Sequence, residues 1–198
     1  MAAIPNSIEG FIELVSRLPG LGRRSARRIV LHMLSNRSEM IKFGDSVLKA
    51  AQDMLVCACG NIDLSLPCKI CGDERRDRST LCIVKDISDI WAMERNNIYN
   101  GLYHAIGGVL NISEGKTPAT LNIHSIKDRI REFKVSEVIL ALDGTLNGES
   151  TAHYIWQTIS DTNVKITRLA HGMPVGAELD YMDDGTISVA MRMRYSMK

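Results

Sequence analysis

Cys57-Ala-Cys59 and, eight residues further on, Cys68-Lys-Ile-Cys71 decide how this chain is divided. Four of its five cysteines fall within fifteen residues. Met1 to Glu9 carries no basic region followed by an apolar core, so no export signal is read there and disulfides are not the expected use of the thiols. Zinc is the expected use. Two short pairs separated by a loop bring four sulfurs to one point without needing a large core. Pro67 before the second pair, with Gly60 and Gly72 behind two of the cysteines, suits tight ligand turns. Four free thiols buried as small hydrophobes is the competing reading, and the clustering counts against it. The first pair is C-x-C where C-x2-C is usual. Cys82, inside an apolar run, reads as a packed core thiol and as the substitute fourth ligand should Cys57 or Cys59 not reach. Four thiolates leave no open position for water, so the site is predicted to be structural, a clasp between the upstream and downstream parts of the chain.

The upstream part reads as helical. Ile8, Phe11, Ile12, Val15 and Leu18 recur at helical spacing, with Asn6 and Glu9 placed to form a capping box. Pro19-Gly20-Leu21-Gly22 stops that helix. Ala26, Ile29, Val30 and Met33 mark a second helix, and Met40, Val47, Leu48, Ala51 and Leu55 a third. After the cysteines and a polar connector, strands and helices alternate. Residues 80–84, 102–106, 137–142 and 164–169 read as strands. Asp86 is placed to cap a helix carrying Ile90, Trp91 and Met93, with Asp89 in its first turn. Further helices carry Ile126, Ile130 and Phe133, then Ala152, Ile155 and Ile159, and a last one starts near Thr186. This alternation predicts a parallel sheet covered on both faces.

Charge is informative only locally. The 198 residues carry a formal net charge of +1, so no global argument for a polyanionic partner exists. From Leu14 to Ser38, however, there are six arginines and no acidic residue. Arg23 and Arg27 lie one turn apart, as do Arg24 and Arg28, away from the apolar stripe. A solvated helix face is the plain reading. Phosphate binding is the sharper one: Gly20 and Gly22 let backbone approach closely, the next helix N-terminus aims free N–H groups at an anion, and the arginines clamp neighbouring phosphates. The pattern resembles a helix-hairpin-helix DNA-binding motif. No apolar run approaches the ~18 residues of a membrane span, and the cytoplasm is the simplest location.

Two motifs argue against catalysis. Gly115-Lys116-Thr117 looks like the end of a nucleotide-binding loop, but Leu110 stands where its first glycine belongs and Pro118 comes next instead of a helix. Metal-dependent phosphoryl transfer in an α/β domain needs a glutamate after the first strand and paired aspartates after a later one. Here the positions hold Lys85 and a lone Asp143, and an ammonium repels a divalent ion.

Taken together, the parts resemble the bacterial RecR recombination-mediator family, essentially end to end. The most specific stretches are Leu18-Pro-Gly-Leu-Gly-Arg-Arg-Ser-Ala-Arg-Arg-Ile29, Pro67-Cys-Lys-Ile-Cys-Gly-Asp-Glu-Arg-Arg-Asp77, Leu142-Asp-Gly-Thr-Leu-Asn-Gly-Glu-Ser-Thr-Ala152 and Arg168-Leu-Ala-His-Gly-Met-Pro-Val-Gly-Ala-Glu-Leu-Asp-Tyr181. The resemblance implies a helix-hairpin-helix module over 1–55, a four-cysteine zinc finger over 56–77 with one structural Zn2+ on Cys57, Cys59, Cys68 and Cys71, a Toprim-like parallel α/β domain over 78–170, and a C-terminal segment over 171–198. That last segment contains a Walker B-like element around Leu179 to Asp184. The resemblance also implies a non-enzymatic ring tetramer that encircles DNA and acts with RecO and RecF to load RecA on gapped, SSB-coated DNA, cytoplasmic and nucleoid-associated during repair. The hairpin's basic positions fall on Arg23 and Arg27, and an acidic surface for RecO would include Glu149. The C-x-C pair and Lys85 depart from the family pattern. The alternatives are a Toprim-type Mg2+-dependent phosphotransferase or nuclease, and a zinc-containing regulator that reads base sequence.

Overall fold

The apolar spacing upstream of the cysteines produces α1 (Asn6–Ser16), α2 (Arg23–Ser35) and α3 (Arg37–Asp53), in a computed structural model that describes residues 5–170, 172–174, 176–194 and 196. His171, Val175 and Lys198, which belong to the predicted C-terminal segment, lie outside the described residues. The chain divides into two compact units, Met1–Met54 and Leu55–Lys198. In the first unit, Ile12 and Val15 of α1 bury against Ala26 and Val30 of α2, with Ile8, Phe11, Leu21 and Ile29 packed around them. The expected capping box on α1 does not form. Asn6 is already the first helical residue, and Pro5 stands at the cap without a side-chain hydrogen bond. Proline's fixed φ suits a helix entrance. Glu9 turns instead to Arg23. The third helix also differs from expectation: none of its residues is buried, and Leu55 leaves it to begin a strand.

The second unit opens with a two-stranded hairpin, β1 (Leu55–Val56) and β2 (Ile62–Asp63), then one turn of helix, α4 (Lys69–Gly72). Next come β3 (Asp77–Val84), α5 (Ile87–Arg95), β4 (Gly101–Ala105), α6 (Ile126–Phe133), β5 (Glu137–Ala141), α7 (Leu146–Ile159), β6 (Lys165–Arg168) and α8 (Asp184–Arg192). The four long-range strands are all parallel, in the order β4-β3-β5-β6. Central β3 pairs Ile83 with His104 on one side and Leu140 on the other. Its last four residues are buried, as a strand covered on both faces requires.

Strand side chains alternate between faces, and here the two faces meet different partners. Leu81, Ile83, Leu102, Val138 and Leu140 pack with α6 and α7 through Ile126, Ile130, Ile155 and Ile159. Cys82, Val84, Tyr103 and Ala105 face the other way, toward Ile90 of α5 and the four clustered cysteines. Asp86 caps α5 as expected, in a full capping box with Asp89. The cysteine module thus shares one face of the sheet with α5.

Backbone stitches it there. The Ala105 N–H at the outer edge of β4 donates to Cys59 O at 2.8 Å. Gly60 makes this approach possible: its φ is +83°, and a Cβ would stand 2.7 Å from Ala105 O. Gly60→Ala is therefore expected to cost about 1–3 kcal/mol through left-handed strain and a backbone clash. The measurement is the urea midpoint of unfolding, and an unchanged midpoint contradicts this packing.

Candidate metal centre and nucleic-acid interface

The C-x-C pair sits in the bend of the β1–β2 hairpin. Cys57 N–H donates to Asn61 O at 2.8 Å, and Gly60 N–H donates to Cys57 O at 2.8 Å. The second pair opens α4, where Gly72 N–H donates to Cys68 O at 2.9 Å. Asp63 fixes this turn by accepting the Lys69 N–H at 2.8 Å, and its carboxyl is held below the usual range by that bond and by the Leu64 N–H.

These two turns converge. The sulfurs of Cys57, Cys59, Cys68 and Cys71 all lie within 4.8 Å of one another, and all four residues are buried. Cys59 and Cys68 are 3.6 Å apart. A tetrahedral Zn–S length of about 2.3 Å puts sulfurs about 3.8 Å from one another, so the four thiols fit a single metal ion. The missing residue in the first pair is absorbed by the hairpin bend, and Cys57 joins the group. Cys82 does not; it is a core thiol against α5. The sulfurs of Cys59, Cys68 and Cys71 are close enough to hydrogen-bond to one another through their S–H protons. Cys59 is pushed up by its bonds to Cys68 and Cys71, and Cys68 is pushed down by the bond with Cys59. A divalent cation would displace those protons.

Two polar groups around the sulfurs went unread in the sequence. Asn61 N–H points at Cys59 Sγ at 3.4 Å, and its side-chain Oδ1 accepts the indole N–H of Trp91 at 3.3 Å. Arg129 of α6, 4% exposed, reaches Cys71 Sγ at 3.5 Å. A signal for Arg129 did exist. Ile126, Arg129 and Ile130 form the buried stripe of α6, with Phe133 partly buried beside them, and an arginine there needs an interior partner.

The hairpin is built as the glycines require. Gly20 has φ +76°, and Gly22 caps α2 without a side chain. No side chain therefore competes for the first N–H groups of that helix. Arg23, Arg24, Arg27 and Arg28 are all exposed. Arg23 pairs with Glu9, a contact that charge counting over residues 14–38 misses.

At the carboxyl ends of β3 and β5, Lys85 Nζ stands 3.9 Å from Asp143 Oδ2. Asp86 and Asp89 are occupied in the α5 capping box. Glu149, in the first turn of α7, holds Arg168 through two hydrogen bonds of 2.6 and 2.7 Å. Lys116 Nζ donates to Gly107 O at 3.0 Å. Among the described residues no helix is long and apolar enough to cross a membrane.

Comparison with known proteins fits this arrangement. Family models match in three places: RecR helix-hairpin-helix over residues 8–51, a Toprim domain over 79–170 and RecR C-terminal over 172–195. Recombination protein RecR of Methylocella silvestris is 49% identical over 189 residues, 94% of each chain. The same-named proteins of Methylobacterium radiotolerans and a Bradyrhizobium species are 48% identical, covering 94% and 98% of each chain. The chain belongs to the RecR family. In RecR terms, the arginines of α2 lie in the stretch matched by the helix-hairpin-helix model, and Lys85, Asp143 and Glu149 lie in the Toprim stretch. The four cysteines fall between those two matches.

Proposed function

We propose that this protein is a non-catalytic DNA clamp of recombinational repair. The observation that carries the reading is α2. Four exposed arginines come after a glycine turn whose helix N-terminus has no side-chain cap, the arrangement that grips phosphates without reading bases. Gly20 and Gly22 bring the backbone to the sugar-phosphate chain, and Arg23, Arg24, Arg27 and Arg28 contact phosphates. The Arg23–Glu9 pair does not stand in the way, because an exposed ion pair contributes only about 0–1 kcal/mol.

The four domains run over 1–55, 56–77, 78–170 and 171–198. Copies of the chain assemble as a ring tetramer around DNA, in the cytoplasm, and work with RecO and RecF to load RecA on gapped DNA. The Glu149 surface serves the RecO contact. Because Glu149 already holds Arg168, a cation from the partner would have to share that carboxylate. One Zn2+ per chain is held by Cys57, Cys59, Cys68 and Cys71. Bound there, it supplies folding energy rather than a reactive water.

Phosphoryl transfer is disfavoured by the charges that face each other at the ends of β3 and β5. Lys85 neutralises Asp143, and the two neighbouring aspartates are spent on capping. Purified protein incubated with DNA and Mg2+ is expected to leave the DNA intact. Cleavage that disappears in Asp143→Ala overturns the non-catalytic reading. Native mass spectrometry tests the ring: a four-chain species supports it, and a monomer at all concentrations counts against it.

A further inference from the structure

Arg129 is a cation in the wrong place for an ordinary α/β domain. It is 4% exposed, on a helix whose other inward residues are Ile126 and Ile130. Removing a guanidinium from water costs several kcal/mol unless a compensating charge is supplied. Its hydrogen bonds go to Tyr103 O, to His104 Nδ1 at 3.3 Å and to Cys71 Sγ at 3.5 Å. None of these is a carboxylate. Arginine has no acceptor, so His104 Nδ1 must be the acceptor and Nε2 the donor, to Asn122 O at 2.5 Å. Burial pushes His104 down to about 4, so the ring is neutral and offers no charge in return. The Phe133 ring lies 5.5 Å away and supplies only a cation–π contact. The anion that balances Arg129 has to be at sulfur.

Resting on the metal reading proposed for the four cysteines, we propose that Arg129 is a positioning residue of the metal centre, fixing Cys71 against β4 and balancing the charge of the thiolates. Four thiolates and one divalent ion carry a formal charge of about −2, buried under the sheet. Arg129 is the buried cation in contact with that group. Its fork makes the geometry rigid as well as favourable: one nitrogen holds the β4 carbonyl of Tyr103 while the other addresses Cys71. With Ala105 N–H held by Cys59 O, two polar groups on the open edge of β4 are tied to the cysteine module, one through backbone and one through Arg129. Groups that hydrogen-bond metal ligands typically change metal affinity about 10- to 100-fold when removed.

The test uses the full-length chain as wild type, Arg129→Met and Arg129→Lys. Zinc affinity is read by competition with a chromophoric chelator. The sulfur-to-metal charge-transfer absorption is read after Co2+ replaces zinc. Arg129→Met is expected to bind zinc about 10- to 100-fold more weakly. Its charge-transfer bands should move to lower energy, because thiolates without a nearby cation give up electrons more readily. Arg129→Lys is expected to recover most of both. A purely structural arginine would change unfolding but leave the band energy in place. A folded Arg129→Met with wild-type affinity and wild-type bands overturns the proposal. Should Arg129→Met not fold, Arg129→Gln, which keeps a donor without the charge, takes its place with the same expectations. A wild type that binds neither zinc nor Co2+ removes the metal reading itself, and this proposal with it. A loaded wild type that its variants match removes only the role of Arg129.

Discussion

Cys68→Ala is expected to purify with its zinc reduced from about one per chain toward none, and to unfold at least about 10 °C below the wild type. Cys68 is fully buried, its sulfur is 3.6 Å from that of Cys59, and it belongs to the group of four. Removing it leaves three ligands where the geometry needs four. Metal binding in such modules is folding energy, about 10–16 kcal/mol in isolated zinc-finger peptides. Here the module also rests on β4 through the Ala105–Cys59 bond, so part of its structure survives without metal. A loss above about 4 kcal/mol is the expected scale for removing a structural metal. Cys68→Ala also leaves Cys57, Cys59 and Cys71 as buried, unliganded thiols. Wild-type zinc content and wild-type unfolding in Cys68→Ala would contradict the four-sulfur centre.

Arg23→Ala combined with Arg27→Ala is expected to weaken DNA binding about tenfold or more at low salt while circular dichroism stays unchanged. Both side chains are exposed, and neither belongs to the Ile12, Val15, Ala26 and Val30 core. The fold therefore loses only the Arg23–Glu9 surface pair. Binding loses two phosphate contacts. Each such contact contributes about 0.9 to the slope of log K against log salt, so the double variant should show a slope shallower by about 2. The loss should be the same for unrelated sequences, because phosphate contacts position a protein without specifying bases. Unchanged affinity at matched salt would remove the hairpin from the DNA interface.

The sequence was most legible where one residue type had one physical explanation. The sheet was readable because residues 80–84 and 137–142 are apolar runs between helical spacings, and the structure forms β3 and β5 there. Asp86 was readable as a cap because a short acceptor precedes an amphipathic stretch, and its capping box is complete. The glycine turn and the arginine stripe of α2 were readable for similar reasons. Long-range pairing was not. Nothing local to Glu9 announces Arg23 fourteen residues away, and its spacing from Asn6 predicts a cap that does not form with Pro5 at that position. The apolar positions of α3 predicted a buried stripe that does not form within its unit, where Phe43, Val47 and Leu48 remain exposed. Spacing alone also could not say whether C-x-C reaches one metal. The hairpin bend that answers this depends on the β1–β2 register, with Val56 opposite Ile62. Arg129 was hidden for the same reason, since its partners lie 25 to 58 residues away in sequence.

The central claim is sequence-independent DNA binding by a protein that does no chemistry on the DNA. Its most direct test is fluorescence anisotropy of two unrelated labelled DNAs of equal length, titrated with the wild-type protein across a salt series in Mg2+. The expected result is one affinity for both DNAs at each salt concentration, a steep negative slope of log K against log salt, and intact DNA recovered afterwards. Strong preference for one sequence, a flat salt dependence, or cleaved DNA would contradict the account.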